Sequence, residues 1–406
     1  MNRRELIKTG LIGLGAGALL SGCKNKEISL SSDEFNIVPK KTGTYEFSAP
    51  LPFNYKTIDE ILELNSTLKK SKVTSFYNNA PNQDFNCWVS IDRARAGFEK
   101  HPVNSYDKFA KYVKYATDNG FNFTYLLNSP KPFSEKDYNT FKDEFYYLLD
   151  FLYKIGCRDI KVANTQVATL INDKFQNTFN LHASTAFEYH NISQYKYLFN
   201  NYPNFTLIDV SNDENQNFKL LASLRKQFPK VKLELMVNEG CIKGCPARIS
   251  HISEGAFAVF NCPKMQQDLG PVHYFLKTGA IYPWNLEYYS ALGINNFKYI
   301  ASADMENLRS NYHDISSLKM YLDMAEGNLD KYSASEFFTK LYEKMVYSPH
   351  AQSEASKNMK ISELKNYLPD IRHFVKHGHE CSIKCGVECN YCYQCAKKLE
   401  KLLLYS

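Results

Sequence analysis

Beyond its N-terminus the chain lacks any apolar run of the ~18 residues that a membrane-spanning helix needs, which excludes a multi-span membrane protein. It also lacks a dense tract of one charge sign. Lys and Arg number 49 against 43 Asp and Glu, and a net charge of +6 over 406 residues gives no strong electrostatic case for a nucleic-acid partner. Glycine (18) and proline (15) are too scarce for a collagenous or low-complexity chain, and 11 cysteines are too few for a disulfide scaffold. The general hydrolase signatures HExxH and G-x-S-x-G are missing, as is a convincing Ser/His/Asp order. What is present, 44% hydrophobic and 23% charged residues, describes a globular chain able to bury a full core. Eight of the 11 cysteines fall in two short stretches, which is how metal ligands are distributed.

The N-terminus reads as an export signal. Arg3, Arg4 and Lys8 precede an apolar, glycine-rich run from Thr9 to Gly22, too short to span a bilayer as an uncleaved anchor. Residues 2–8 resemble a twin-arginine motif, and Leu20-Ser21-Gly22-Cys23 resembles a lipobox that makes Cys23 the lipidated first residue of the mature protein. The expectation is an exported lipoprotein, membrane-anchored on the extracytoplasmic side, with a signal at 1–22 and a polar linker at 23–56. Twin-arginine export carries folded proteins, which suits a chain loaded with its cofactor beforehand.

From residue 57 to about 330, short runs rich in Val, Ile, Phe and Tyr alternate with helical patterns, the signature of βα units. Strands are expected at Val73–Asn78, Phe121–Leu127, Asp159–Ala163, Asn180–Ser184, Phe205–Val210 and Val231–Val237, with shorter ones at Ala280–Tyr282 and Asn296–Ile300. Helices are expected at Ser105–Thr117, Ser134–Ile155, Ile192–Asn201 and Asn215–Gln227, with Gly120 and Gly156 as stop signals. Eight strands over this span give an α/β fold, a TIM-barrel-like (β/α)8 domain, with an open doubly wound sheet as the competing architecture. Residues 331–406 form a small helical, cysteine-rich extension. At the ends of the expected strands stand Asn78, Asn79, Asn128, Asn164, His182, Ser184, Thr185, Asp209, Asn238, Glu239 and Asp304, each also a turn-former or cap by type.

The cysteines carry the sharpest signal. Cys241-x3-Cys245 follows an expected strand directly and Cys262 lies 17 residues further on, so their thiolates leave the same barrel rim. Cys87, in the long loop after the first expected strand, supplies a fourth ligand, whereas Cys157, next to Gly156, reads as a buried small hydrophobe. Cys87, Cys241, Cys245 and Cys262 suit a 4Fe-4S cluster or tetrahedral zinc; the missing C-x2-C pairs of zinc ribbons favour the cluster over zinc, and disulfides are the alternative in an exported protein. The tail carries Cys381-x3-Cys385-x3-Cys389-x2-Cys392-x2-Cys395, preceded by His373, His377 and His379. Five cysteines this close pair poorly as disulfides and point to a second cluster or to zinc. Cys385 to Cys392 spells the C-x3-C-x2-C of radical S-adenosylmethionine enzymes, but the 14 residues after Cys392 are too few to build the barrel that follows it there.

The chain resembles the collagenase-like peptidase U32 family. Arg93-Ala-Arg-Ala-Gly-Phe98, Asn180-Leu-His-Ala-Ser-Thr185, Val231 to Asn238 leading into Cys241, and Ile281-Tyr-Pro-Trp-Asn285 with its sequel to Lys298 carry the resemblance. It implies a barrel-like α/β fold and, in several members, a 4Fe-4S cluster held by four cysteines; other members support oxygen-independent hydroxylation. The spacing of Cys241, Cys245 and Cys262 departs from the family's pattern. Three readings follow: an iron-sulfur redox or hydroxylation enzyme served by an electron-donor protein, a peptidase with His182, Glu239, His251 and Glu234 as acid-base candidates, or a non-catalytic electron-transfer or binding lipoprotein.

Overall fold

The computed structural model describes residues 37–79, 103, 105–176, 178–249, 261–300, 315–342, 353–385 and 387–405, all in one compact unit. Eight strands close on themselves in sequence order: β1 (Tyr45–Pro50), β2 (Ser71–Asn78), β3 (Asn122–Leu127), β4 (Asp159–Val162), β5 (Asn180–Ala183), β6 (Phe205–Asp209), β7 (Lys232–Met236) and β8 (Asn296–Lys298). Every pairing is parallel, and β8 closes the ring by pairing with both β7 and β1. This is the (β/α)8 barrel, not an open sheet. Among the described residues no helix is long and apolar enough to cross a membrane.

The helices form where local chemistry dictates. Helix Glu135–Lys154 starts on a reciprocal capping box between Ser134 and Asp137. Its buried stripe of Phe145, Leu148, Leu149 and Leu152 covers the sheet at helical spacing, each side chain contributing about 1.5–3 kcal/mol. Helix Tyr106–Asp118 is capped by Ser105 and Ile192–Asn201 by Asn191. Gly120 (φ 85°) and Gly156 (φ 83°) end their helices in the left-handed conformation, where a side chain is strained.

Two strand expectations change. The linker expected to run to residue 56 instead supplies β1, whose Tyr45, Phe47 and Ala49 are buried. Its polar residues disguise it, because Ser48 is satisfied inside the barrel by Glu234 (2.7 Å). Ala280–Tyr282 is buried but forms no strand. It is apolar because it packs under helix Ser316–Ala325, where Tyr321 Oη donates to the Ile281 carbonyl (2.6 Å). The strand count of eight therefore stands with one member exchanged. The segment expected to be a signal, Cys23, Cys87, Arg93 to Phe98, His251 and Asp304 lie outside the described residues, as does the Cys262 side chain.

The barrel interior holds a charged layer. Lys161 Nζ, 2% exposed, donates to Asp209 Oδ2 (2.6 Å) and Glu234 Oε2 (2.7 Å). Lys298 Nζ lies 3.6 Å from the same Asp209 oxygen and 4.4 Å from the Tyr77 ring centre. Two ammonium groups thus offset two carboxylates. Burial drives the Asp209 carboxyl up against the pull of Lys161, while at Glu234 burial is overcome by Lys161, the Asp209 hydrogen bond and Lys298 together, which hold it down. The two carboxylates flanking Lys161 outweigh burial and raise its affinity for a proton.

Candidate metal centre

His182, the third residue of β5, is buried with Nε2 3.6 Å from Asp159 Oδ1. Asp159 opens β4, so the imidazole is directed to the strand-start end of the barrel, away from the loops that follow the strands. Burial raises the Asp159 carboxyl, but His182 and Asn180 outweigh it and hold it below the usual carboxylate range. A group lowered in this way contributes stability that is present above about pH 4 and is lost as pH falls through its folded value. Replacing His182 with Leu is therefore expected to raise the Asp159 titration midpoint, read by carbon-13 NMR of the carboxyl, and to flatten the acid limb of the stability profile. An unchanged midpoint would show that the pair is not coupled.

At the other end, where β5, β6 and β7 give way to loops, a second charged group gathers. Arg248 Nη2 contacts Asp213 (2.5 Å) and donates to the Ile242 carbonyl (2.7 Å), and its Nη1 lies 3.5 Å from Glu188. Asp213 Oδ2 also accepts the Gly244 N–H (3.0 Å). Glu188 takes a positive φ of 50°, unusual for a residue with a side chain, in leaving the short 3-10 turn Thr185–Phe187. His190 Nδ1 lies 3.0 Å from Glu214, and this bond raises the imidazole's proton affinity. Burial lowers the Arg248 guanidinium, but Asp213, Glu188 and Cys241 outweigh it and reinforce its charge.

These contacts fix the loop that carries Cys241 and Cys245. The Cys241 N–H donates to Glu239 Oε1 (3.1 Å), the Lys243 N–H to the Lys277 carbonyl (3.0 Å), and the Arg248 N–H to the Cys245 carbonyl (3.2 Å). Glu239 thus serves the loop's backbone, and both cysteines are partly exposed. Asn238 braces β7 against the chain leaving β8, accepting the Ile300 N–H (2.8 Å) and donating to its carbonyl (2.7 Å). Asn164 and Ser184 act as caps, the bland role their residue types allow. Cys157 is 3% exposed, and burial pushes its thiol up to about 12, as befits an inert core residue.

The tail docks on the loop side of this region. A Cβ on Gly378 would clash with the Gln216 carbonyl oxygen, so only glycine allows the close approach. Helix Ile371–His377 leads into a short helix, Cys381–Lys384, and then a tight turn in which the Cys389 N–H returns to the Lys384 carbonyl (2.9 Å). That turn sets Cys385 beside Cys389 in an isolated bridge. Helix Tyr391–Tyr405 follows, with Cys392 and Cys395 in its first turns and Ala396, Leu399 and Leu403 buried. Tyr391 stacks on His373 (3.9 Å between centres).

Cys381, Cys385, Cys389 and Cys392 line one cavity of about 250 Å³, shared with Lys243, Lys277, His273 and His373. Cys395 is absent from the lining and interacts with Tyr391 instead. Burial raises the Cys381 thiol and pushes Cys392 up to about 12, and at both Lys243 is the strongest opposing charge. His373 Nε2 is buried with no hydrogen-bond partner. Among the described residues no three His, Cys, Asp or Glu side chains converge as a ready-made cage for an ion. Four thiols with two imidazoles around one cavity are a donor set of the type that holds an iron-sulfur cluster or zinc.

The chain matches no protein-family model and no curated protein sequence. Its solved structural neighbours include the U32 peptidase Mk0906, at 11% identity and a TM-score of 0.41, covering 66% of this chain and 97% of that one. They also include CdNal from Clostridium difficile in complex with mannosamine, at 12% identity and a TM-score of 0.34, covering 89% of this chain and 99% of that one. N-acetylneuraminate lyase from Fusobacterium nucleatum is similar at 13% identity and a TM-score of 0.32, covering 87% of this chain and 97% of that one. The barrel assignment itself stands on the strand pairing described above.

Lys161, Lys298, Glu188, Arg248 and Lys243 were not legible as site residues. A lysine in mid-strand among apolar neighbours, Ile160-Lys161-Val162, was the one available signal, since it cannot be buried without carboxylate partners.

Proposed function

We propose that this chain is an exported, lipid-anchored iron-sulfur protein whose tail cavity holds a 4Fe-4S cluster on Cys381, Cys385, Cys389 and Cys392, serving a redox or oxygen-independent hydroxylation reaction. The observation that carries the reading is that these four thiols line one cavity with two lysines beside them. The cluster would supply one-electron chemistry; the protein's residues would hold it, offset its charge and limit water around it. The barrel-loop quartet of Cys87, Cys241, Cys245 and Cys262 is proposed as a second site, supported by the rigid mounting of Cys241 and Cys245.

Anaerobic purification of the full chain, with metal analysis and a visible spectrum, tests this. About four irons per chain with a broad visible absorption supports the tail cluster, and about eight supports both sites. Zinc in place of iron overturns the redox reading, and no bound metal overturns the metalloprotein reading as a whole.

A further inference from the structure

Lys243 is the middle residue of the Cys241-x3-Cys245 loop, yet its side chain belongs to the tail cavity. Its Nζ is bonded to Gln216 Oε1 and lies 4.9 Å from the centre of the Phe374 ring. The loop backbone on either side is held by Lys277, Asp213 and Arg248, so the ammonium group is delivered from a rigid mount rather than from a mobile surface chain. Lys277, His273 and His373 also face the cavity, and Glu380 adds a negative field at Cys381. Of the two lysines that line the cavity, Lys243 is the one carried between Cys241 and Cys245 on the barrel loop.

We propose that Lys243 is a positioning residue of the tail centre: the barrel loop donates the cation that offsets the thiolates of Cys381, Cys385, Cys389 and Cys392, so the centre is completed only when the barrel and the tail are docked. This rests on the metal-thiolate reading above. Four thiolates around a metal core of charge +2, cluster or single ion, leave an excess of two negative charges, and removing a fixed positive charge from a partly dry cavity weakens that assembly.

The test uses cobalt(II) alone, titrated anaerobically into the metal-free, reduced full chain. Tail binding is read as the thiolate-to-cobalt charge-transfer band present in the wild type and absent from Cys392→Ser. Lys243→Gln is expected to weaken that binding about tenfold, Lys243→Arg to restore most of it, and Lys277→Gln to change it less than about threefold, within the usual 10–100-fold range for residues supporting a metal's ligands. Equal affinity in Lys243→Gln and wild type, with the band present, overturns the role of Lys243 and leaves the metal site standing. Loss in both Lys243→Gln and Lys243→Arg also overturns it, because charge would then not be what the site requires. Absence of any band that Cys392→Ser removes overturns the tail site itself.

Discussion

Replacing Lys161 with Met is expected to lower the free energy of unfolding by about 3–5 kcal/mol, the usual cost of stripping one partner from a buried ion group. Asp209 and Glu234 would be left in the barrel interior with Lys298 as the remaining nearby cation, itself 3.6 Å from Asp209. One carboxyl would take up a proton to survive, so the loss should be smaller in acid and larger at neutral pH. Chemical denaturation of wild type and variant at two pH values measures this. Adding Glu234→Gln to Lys161→Met should recover part of the loss, because it removes the charge the lysine had answered. A change below about 1 kcal/mol would show that the layer is hydrated rather than dry. The group sits at the level where the strands meet the loops, Asp209 being the last residue of β6 and Lys298 of β8.

The second large effect is compositional. Cys392→Ser is expected to remove about four irons per anaerobically purified chain, together with the associated visible absorption, while the far-ultraviolet circular dichroism of the barrel stays the same. Cys392 lines the cavity with Cys381, Cys385 and Cys389, and a serine hydroxyl is a poor substitute for a thiolate on iron. Cys395→Ser, one helical turn further on, should leave iron content unchanged, since that thiol interacts with Tyr391 instead. Five cysteines spaced by two and three residues do not by themselves say which four act together. Equal iron loss in both variants would move the ligand set, and no loss in either would remove the site.

Most of the barrel could be read from the chain, because its determinants are local. Ser134 and Asp137 close a box only neighbours can close, and Gly156 ends the same helix for reasons internal to one residue. The strands that were legible are those apolar on both faces, such as Phe123 to Leu127 in β3. β1 escaped because Ser48 faces a partner 186 residues away, and Ala280–Tyr282 misled because deep burial resembles a strand whenever the covering element is unknown. The cysteine spacing showed that thiols are concentrated in the tail. It could not show that Cys395 stands apart, nor that Lys243 crosses from another loop to join the other four thiols.

What the sequence by itself determined is the repeating βα pattern, the helix caps and the presence of two thiol groups, all set by interactions spanning a few residues. Tertiary structure alone decided which segment closes the barrel, how Lys161 and Lys298 are neutralised, and which cysteines share a cavity with Lys243. Those outcomes depend on burial and charge balance between residues far apart in sequence, and neither quantity exists until the chain has closed on itself.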